Sequence, residues 1–162
     1  MNFNKLFSLQ KVLDERIVID KGLEGMNLLN QKILSLQVEL GELANELPEV
    51  FKFWANKKNN YENALKEYVD GLHFILSIGL EVGFDIDEWE IEIWKEDDMI
   101  QQFIILNQVT YEIYKNRKDY YISDLLSHFI GLGEMLGFTS EQIEQAYISK
   151  NEINHVRQEN GY

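Results

Sequence analysis

The sequence predicts an all-α protein, and three observations carry that reading. Apolar residues recur every three or four positions along most of the chain, as they do on one face of a helix. Turn punctuation is scarce, with one proline and ten scattered glycines, which favours long helices over many short strands. Only residues 84–97 alternate partly like a strand, through Phe84, Ile86, Trp89, Ile91, Ile93 and Trp94. Nothing else in the chain would pair with such a strand, so this stretch is read as helix or loop.

The elements follow in order. Phe3, Leu6, Phe7, Leu13 and Ile17 set a first helix, with Asn2 or Asn4 as its cap and Gly22 and Gly25 in the loop beyond it. A second helix covers about residues 30–47, with Ile33, Leu36, Leu40, Leu43 and Leu47 as its apolar stripe, and Pro48 stops it. Residues 51–54 read as an aromatic loop and 56–60 as a polar connector. A third helix covers about residues 61–80, with Tyr61, Leu65, Tyr68, Leu72 and Ile75 inward, and Gly83 ends it. Two more cover about 98–116 and 121–136. Thr139 opens the last, with Gln142 three residues on to complete a capping box. No linker or low-complexity tract interrupts the chain, so residues 1–162 are expected to form one domain.

Composition narrows the function. A chain that is 45% hydrophobic is globular, not disordered. A net charge of −13 argues against a basic nucleic-acid surface, while metal ions could still bridge the chain to a nucleotide. Cysteine is absent, which excludes disulfides and thiolate metal sites. No apolar run has membrane-spanning length and the first residues do not open like a secretory signal, so a soluble, cytoplasmic protein is expected.

Two acid pairs carry the chemistry: Glu39-x-x-Glu42 on the second helix and Glu67-x-x-Asp70 on the third. Three-residue spacing points both carboxylates of a pair in nearly the same direction. Two such faces brought together would set four acids around one small volume, and their mutual repulsion asks for cations. Hard divalent ions such as Mg²⁺ take such oxygens and share them with phosphates. Gly41 and Gly71 lie inside or beside the pairs, at about 1 kcal/mol each against alanine, which suggests close approach of a helix or ligand. The plain alternative is a solvated acidic face.

Lys52 and Trp54 could hold a phosphate and a base, although the simpler expectation is that Phe51, Phe53 and Trp54 plug the core beneath the loop. Asp70-x-x-His73 is a single acid–histidine pair, too few for a di-iron bundle, and His73 is read as a supporting or packing residue. Neither a dinucleotide-binding nor a Walker motif is present.

The segments Gln37-Val38-Glu39-Leu40-Gly41-Glu42-Leu43-Ala44-Asn45-Glu46, Phe51-Lys52-Phe53-Trp54 and Glu67-Tyr68-Val69-Asp70-Gly71-Leu72-His73-Phe74 together resemble the dimeric, all-α dUTPase family. So does the C-terminal run from Ala146 to Tyr162, with Lys150-Asn151-x-x-Asn154-x-x-Arg157-Gln158. Leu9-Gln10-Lys11-Val12-Leu13-Asp14 looks like the family's base-recognition segment, with Asp14 where several relatives carry Asn. The acid pairs alone are shared with the wider MazG-like pyrophosphohydrolases; the Lys-x-Trp loop and the C-terminal run are more specific.

The resemblance implies a compact multi-helix bundle of the all-α NTP pyrophosphohydrolase type, working as a homodimer. It implies hydrolysis of dUTP, and also dUDP, to dUMP by Mg²⁺-activated water, with two or more ions per site and Mn²⁺ able to substitute. Carried over by motif, Glu39, Glu42, Glu67 and Asp70 would be the catalytic metal-binding acids. Lys52, Lys150 and Arg157 would hold phosphates, and Gln10, Trp54, Phe74 and Asn154 would surround the nucleoside. Expected partners are the nucleotide and a second copy of the chain, with no nucleic acid and no membrane. Two alternatives stay open: a MazG-like enzyme for dCTP or a modified nucleotide, and a non-enzymatic acidic interaction module.

Overall fold

A computed structural model describes residues 1–161. Among these residues it has seven α-helices and no strand: α1 (Phe3–Lys21), α2 (Leu29–Glu46), α3 (Pro48–Phe51), α4 (Tyr61–Val82), α5 (Met99–Asn116), α6 (Tyr120–Met135) and α7 (Ser140–Glu159). Local chemistry sets their ends. The Asn2 side chain, not Asn4, caps α1 by accepting from the Lys5 N–H. Thr139 and Gln142 form the expected reciprocal box at the start of α7. Gly22 and Gly83 close α1 and α4 in the left-handed region, at φ 63° and 78°.

Pro48 acts in two ways. Its ring ends α2 at Glu46, and its fixed φ then starts the single turn α3 as the first helical residue. The sequence reading anticipated only the stop.

The centre of the bundle is the α2–α4 pair, which makes the most extensive packing in the chain. Contacts run from Lys32 with Ser77 and Glu81 to the Asn60 N–H with the Glu46 carbonyl, so the two helices are antiparallel. Leu36, Leu40 and Leu43 of α2 and Tyr68, Leu72 and Ile75 of α4 are all buried in one continuous core. Helices α1, α6 and α7 pack around α4, and α5 packs on α6 and α2. Tyr68 stacks on Phe129 at 4.2 Å and donates its hydroxyl to the Phe129 carbonyl at 2.9 Å. Gly71 is explained by the same ring, since a Cβ there would stand 3.2 Å from Phe129.

Three expectations need correction. Tyr61 is 48% exposed: the inward stripe of α4 begins a turn later, at Ala64. The aromatic loop does not plug the core, because Phe53 is 95% and Trp54 66% exposed. Gly41 has no close neighbour on its missing Cβ side, so helix packing does not account for it.

The strand-like stretch after α4 holds one 3₁₀ turn, Ile86–Glu88, and then runs extended along α6. Its backbone pairs with a helix in place of a strand. The Trp94 N–H donates to the Ser127 carbonyl at 3.1 Å. Buried Gln102 donates to the carbonyls of Trp94 (2.9 Å) and His128 (2.6 Å) and accepts from the Glu96 N–H at 2.7 Å. One side chain thereby satisfies two backbone groups that the segment could not pair by itself and ties them to the His128 carbonyl of α6.

Candidate active site

The antiparallel α2–α4 pair brings the two acid faces together. Carboxylate oxygens of Glu39, Glu67 and Asp70 all lie within 4.8 Å of one another. Glu42 is exposed and stands outside this trio, yet its charge helps to raise both Glu39 and Glu67. Burial is the largest cause of the Glu39 shift, with Asp70, Glu42 and Glu67 adding to it, and its carboxyl is pushed up to about 7. Burial and the neighbouring acids raise Glu67 too, Glu46 among them. The trio therefore carries repulsion between half-buried oxygens that Lys150, bonded to Asp70, offsets only in part. An all-oxygen donor set of that kind fits a hard divalent cation, which would relieve the repulsion.

A cavity of about 320 Å³ opens beside the trio, within the size range of small-ligand sites. Glu39 and Asp70 form one part of its wall. Lys150 and Arg157 of α7 also line it, and the Lys150 ammonium donates to Asp70 Oδ2 at 2.5 Å. Gln10 of α1, Phe74 of α4 and Asn154 of α7 line the remainder. Four helices, α1, α2, α4 and α7, thus place acids, two cations, amides and a ring around one volume.

Lys52 and Trp54 do not line this cavity. The Lys52 ammonium donates to Asn45 Oδ1 at 2.6 Å and sits 5.3 Å from the centre of the Phe51 ring. Trp54 packs edge-on against Phe53 at 4.9 Å.

Sequence reasoning missed Asp14, Ser77 and Tyr147. Asp14 and Ser77 line the cavity, and the Ser77 hydroxyl donates to Asp14 Oδ2 at 2.5 Å. Lys32 reaches Asp14 at 3.4 Å and Glu81 at 2.7 Å. The signal was available, since Asp14 lies one helical turn beyond Gln10, and Ser77 one turn beyond His73. His73 itself is buried, and desolvation, with Lys150 acting in the same direction, pushes its imidazole down to about 3. It is a neutral ring at any ordinary pH.

The family model for dUTPase matches residues 2–162. The chain belongs to the dUTPase family. Hydrolysis of dUTP is the activity that this membership assigns, and it makes the protein a nucleotide hydrolase. The match runs through all the elements that build the cavity, from α1 to α7. No curated protein matches the chain. No helix among the described residues is long and apolar enough to cross a membrane.

Proposed function

We propose that this cavity binds dUTP, and also dUDP, with Mg²⁺, and releases dUMP together with pyrophosphate or phosphate. One observation carries the reading: the cavity joins a cluster of carboxylates to a pocket of amides, so one ligand could present phosphates to the first and a base to the second. Glu39, Glu67 and Asp70, with Glu42 at their edge, would hold the metal, for which Mn²⁺ could substitute. Bound Mg²⁺ supplies an acidified water and neutralises phosphate charge. One of these carboxylates, Glu42 or Glu39, would accept the water's proton.

Lys150 and Arg157 hold the phosphate chain in line for attack. Gln10 and Asn154 offer donors and acceptors to the nucleoside, and Phe74 packs against it. Lys52 and Trp54 belong to the reading as residues that meet the nucleotide from outside the cavity. The 162 residues act as one domain, and two chains as a homodimer. Support for the dimer comes from an apolar groove lined by Val50, Phe51, Ile100, Phe103 and Ile104, where Ile104 is 61% exposed.

The test is a panel of dUTP, dCTP, dTTP and UTP, with and without Mg²⁺, on the wild type and on Glu67→Gln and Asp70→Asn. Preference for dUTP, abolished by chelation and lowered at least about 100-fold by either substitution, is expected. Preference for dCTP would refute the base assignment, and near-normal turnover by Asp70→Asn would refute the site.

A further inference from the structure

In and behind the cavity wall lies a relay of side chains, of which the proposed chemistry uses Gln10 alone. Gln10 is 3% exposed, and its carbonyl oxygen accepts from two donors at once. The Tyr147 hydroxyl stands 2.7 Å away and His73 Nδ1 also 2.7 Å. Its amide nitrogen donates to Asp14 Oδ1 at 2.6 Å. Asp14 is held from behind by the Ser77 hydroxyl and Lys32. Tyr147 is fully buried, does not line the cavity, and stacks on His73 at 4.0 Å.

This arrangement permits one orientation only. Turning the Gln10 amide over would set its oxygen 2.6 Å from a carboxylate oxygen, two acceptors with no proton between them. It would also turn the Gln10 N–H₂ group onto the Tyr147 hydroxyl and His73 Nδ1, which would then have to accept, with the ring proton moved to Nε2. The orientation in turn decides the histidine. Gln10 Oε1 cannot donate, so the proton of the neutral ring is on Nδ1, and Nε2 is a bare acceptor. Nε2 is buried and has no partner.

We propose that Tyr147 and Asp14 are positioning residues which lock the Gln10 amide, and through it the His73 tautomer, so that a base in the cavity meets the remaining Gln10 N–H as donor and the bare His73 Nε2 as acceptor, in a fixed order. This rests on the reading above that Gln10 faces the nucleoside. The order matters because uracil and cytosine reverse it on the same two atoms. Uracil offers an acceptor (O4) beside a donor (N3–H), and cytosine a donor (N4–H) beside an acceptor (N3). An amide free to turn would satisfy either edge; a locked one discriminates.

Tyr147→Phe tests this, since it removes one hydroxyl and keeps the ring stacked on His73. The expected result is a KM for dUTP raised roughly tenfold with kcat within about twofold, the effect of one hydrogen bond on binding. The ratio of dUTP to dCTP turnover should fall by a similar factor, with a melting temperature lower by only the few degrees that one buried hydrogen bond is worth. Asp14→Asn, which tolerates either amide orientation, should lower the same ratio. Imidazole ¹⁵N shifts report the tautomer directly: Nδ1–H is expected in the wild type, and a mixture in Asp14→Asn. An Nε2–H tautomer in the wild type overturns the proposal, as does a Tyr147→Phe enzyme with unchanged KM and discrimination. Gln10→Ala run alongside separates the two readings. If it leaves the KM for dUTP untouched, Gln10 does not face the nucleoside, while the tautomer result still decides whether the relay is locked.

Discussion

The Lys150 ammonium lies 2.5 Å from Asp70 Oδ2, so a cation of the chain's own stands against one member of the acid trio. Both side chains are mostly buried, at 24% and 19% exposure. Lys150 opposes the rise in the Glu39 and Glu67 pKa values. In the absence of metal it is a counter-charge for the acids, and in the proposed complex it turns to phosphate. The same residue would hold the empty site together and engage the substrate.

Lys150→Met should therefore destabilise the chelated protein. A lost charge-assisted hydrogen bond is worth about 1–3 kcal/mol, roughly 3–10 °C in melting temperature for a chain of this size. The loss should be larger at pH 8 than at pH 6, because more of the trio is ionised and unopposed at the higher pH. Saturating Mg²⁺ should restore most of it. Thermal melts at the two pH values, with EDTA or with Mg²⁺, check this.

The raised Glu39 carboxyl sets a direction with pH. A carboxyl near 7 in the folded chain, against 4.5 as its ordinary value, means that the folded state holds more proton between those values. Its contribution to stability is then fully present below about 4.5 and is lost as pH rises through about 7. The chelated protein should melt at a lower temperature at pH 8 than at pH 5.5, and Glu39→Gln should flatten that slope. Cation binding runs the other way, since it needs the ionised acid. Mn²⁺ affinity, followed by calorimetry, should rise with pH up to about 7 and level off above it.

Gly131 is the most constrained glycine of the fold. A Cβ there would stand 1.8 Å from the Trp94 carbonyl oxygen and 3.1 Å from Gln102 Nε2. Alanine would gain about 1 kcal/mol of helix propensity in α6. It would also push the 89–98 segment off the helix and break the bonds that Gln102 makes to Trp94 and His128. Gly131→Ala should cost about 3 kcal/mol or more in net stability, measured by urea unfolding. Turnover per folded molecule should be preserved, because the segment does not line the cavity.

Much of this was legible in the sequence because it was local. The caps at Asn2 and Thr139 and the three-residue spacing of the acid pairs depend on neighbours within one helical turn. Three of the four acids met because residues 47–60 fold back and leave α2 and α4 as antiparallel neighbours, while Glu42 stayed outside the cluster. What stayed hidden was set by pairing at long range. Tyr147 reaches Gln10 across 137 residues, and nothing in the spacing of either helix announces it. Residues 84–97 alternated partly like a strand because Phe84, Ile86, Trp89 and Ile91 pack on the core while Asp85, Asp87 and Glu90 between them are exposed, a pattern that periodicity alone cannot assign to a sheet. Lys52 and Trp54 show a different limit. Motif membership marks them, while their place outside the cavity is decided by the turn that Pro48 starts.

Gly41 separates packing from function most cleanly. It lies between Glu39 and Glu42 in the middle of α2, and nothing stands within 4 Å of its missing Cβ. Alanine at an open mid-helix position should raise stability by about 1 kcal/mol. With no packing reason within the chain, the remaining one is the approach of a ligand or a second chain to that exposed side of α2, which, two residues on from Glu39, points away from the acid carboxylates. Gly41→Ala is therefore expected to melt a few degrees higher, to keep the metal affinity of the acids, and to hydrolyse dUTP more slowly, mainly in kcat/KM. A stabilised protein with full activity would show that nothing approaches that side of the helix during turnover.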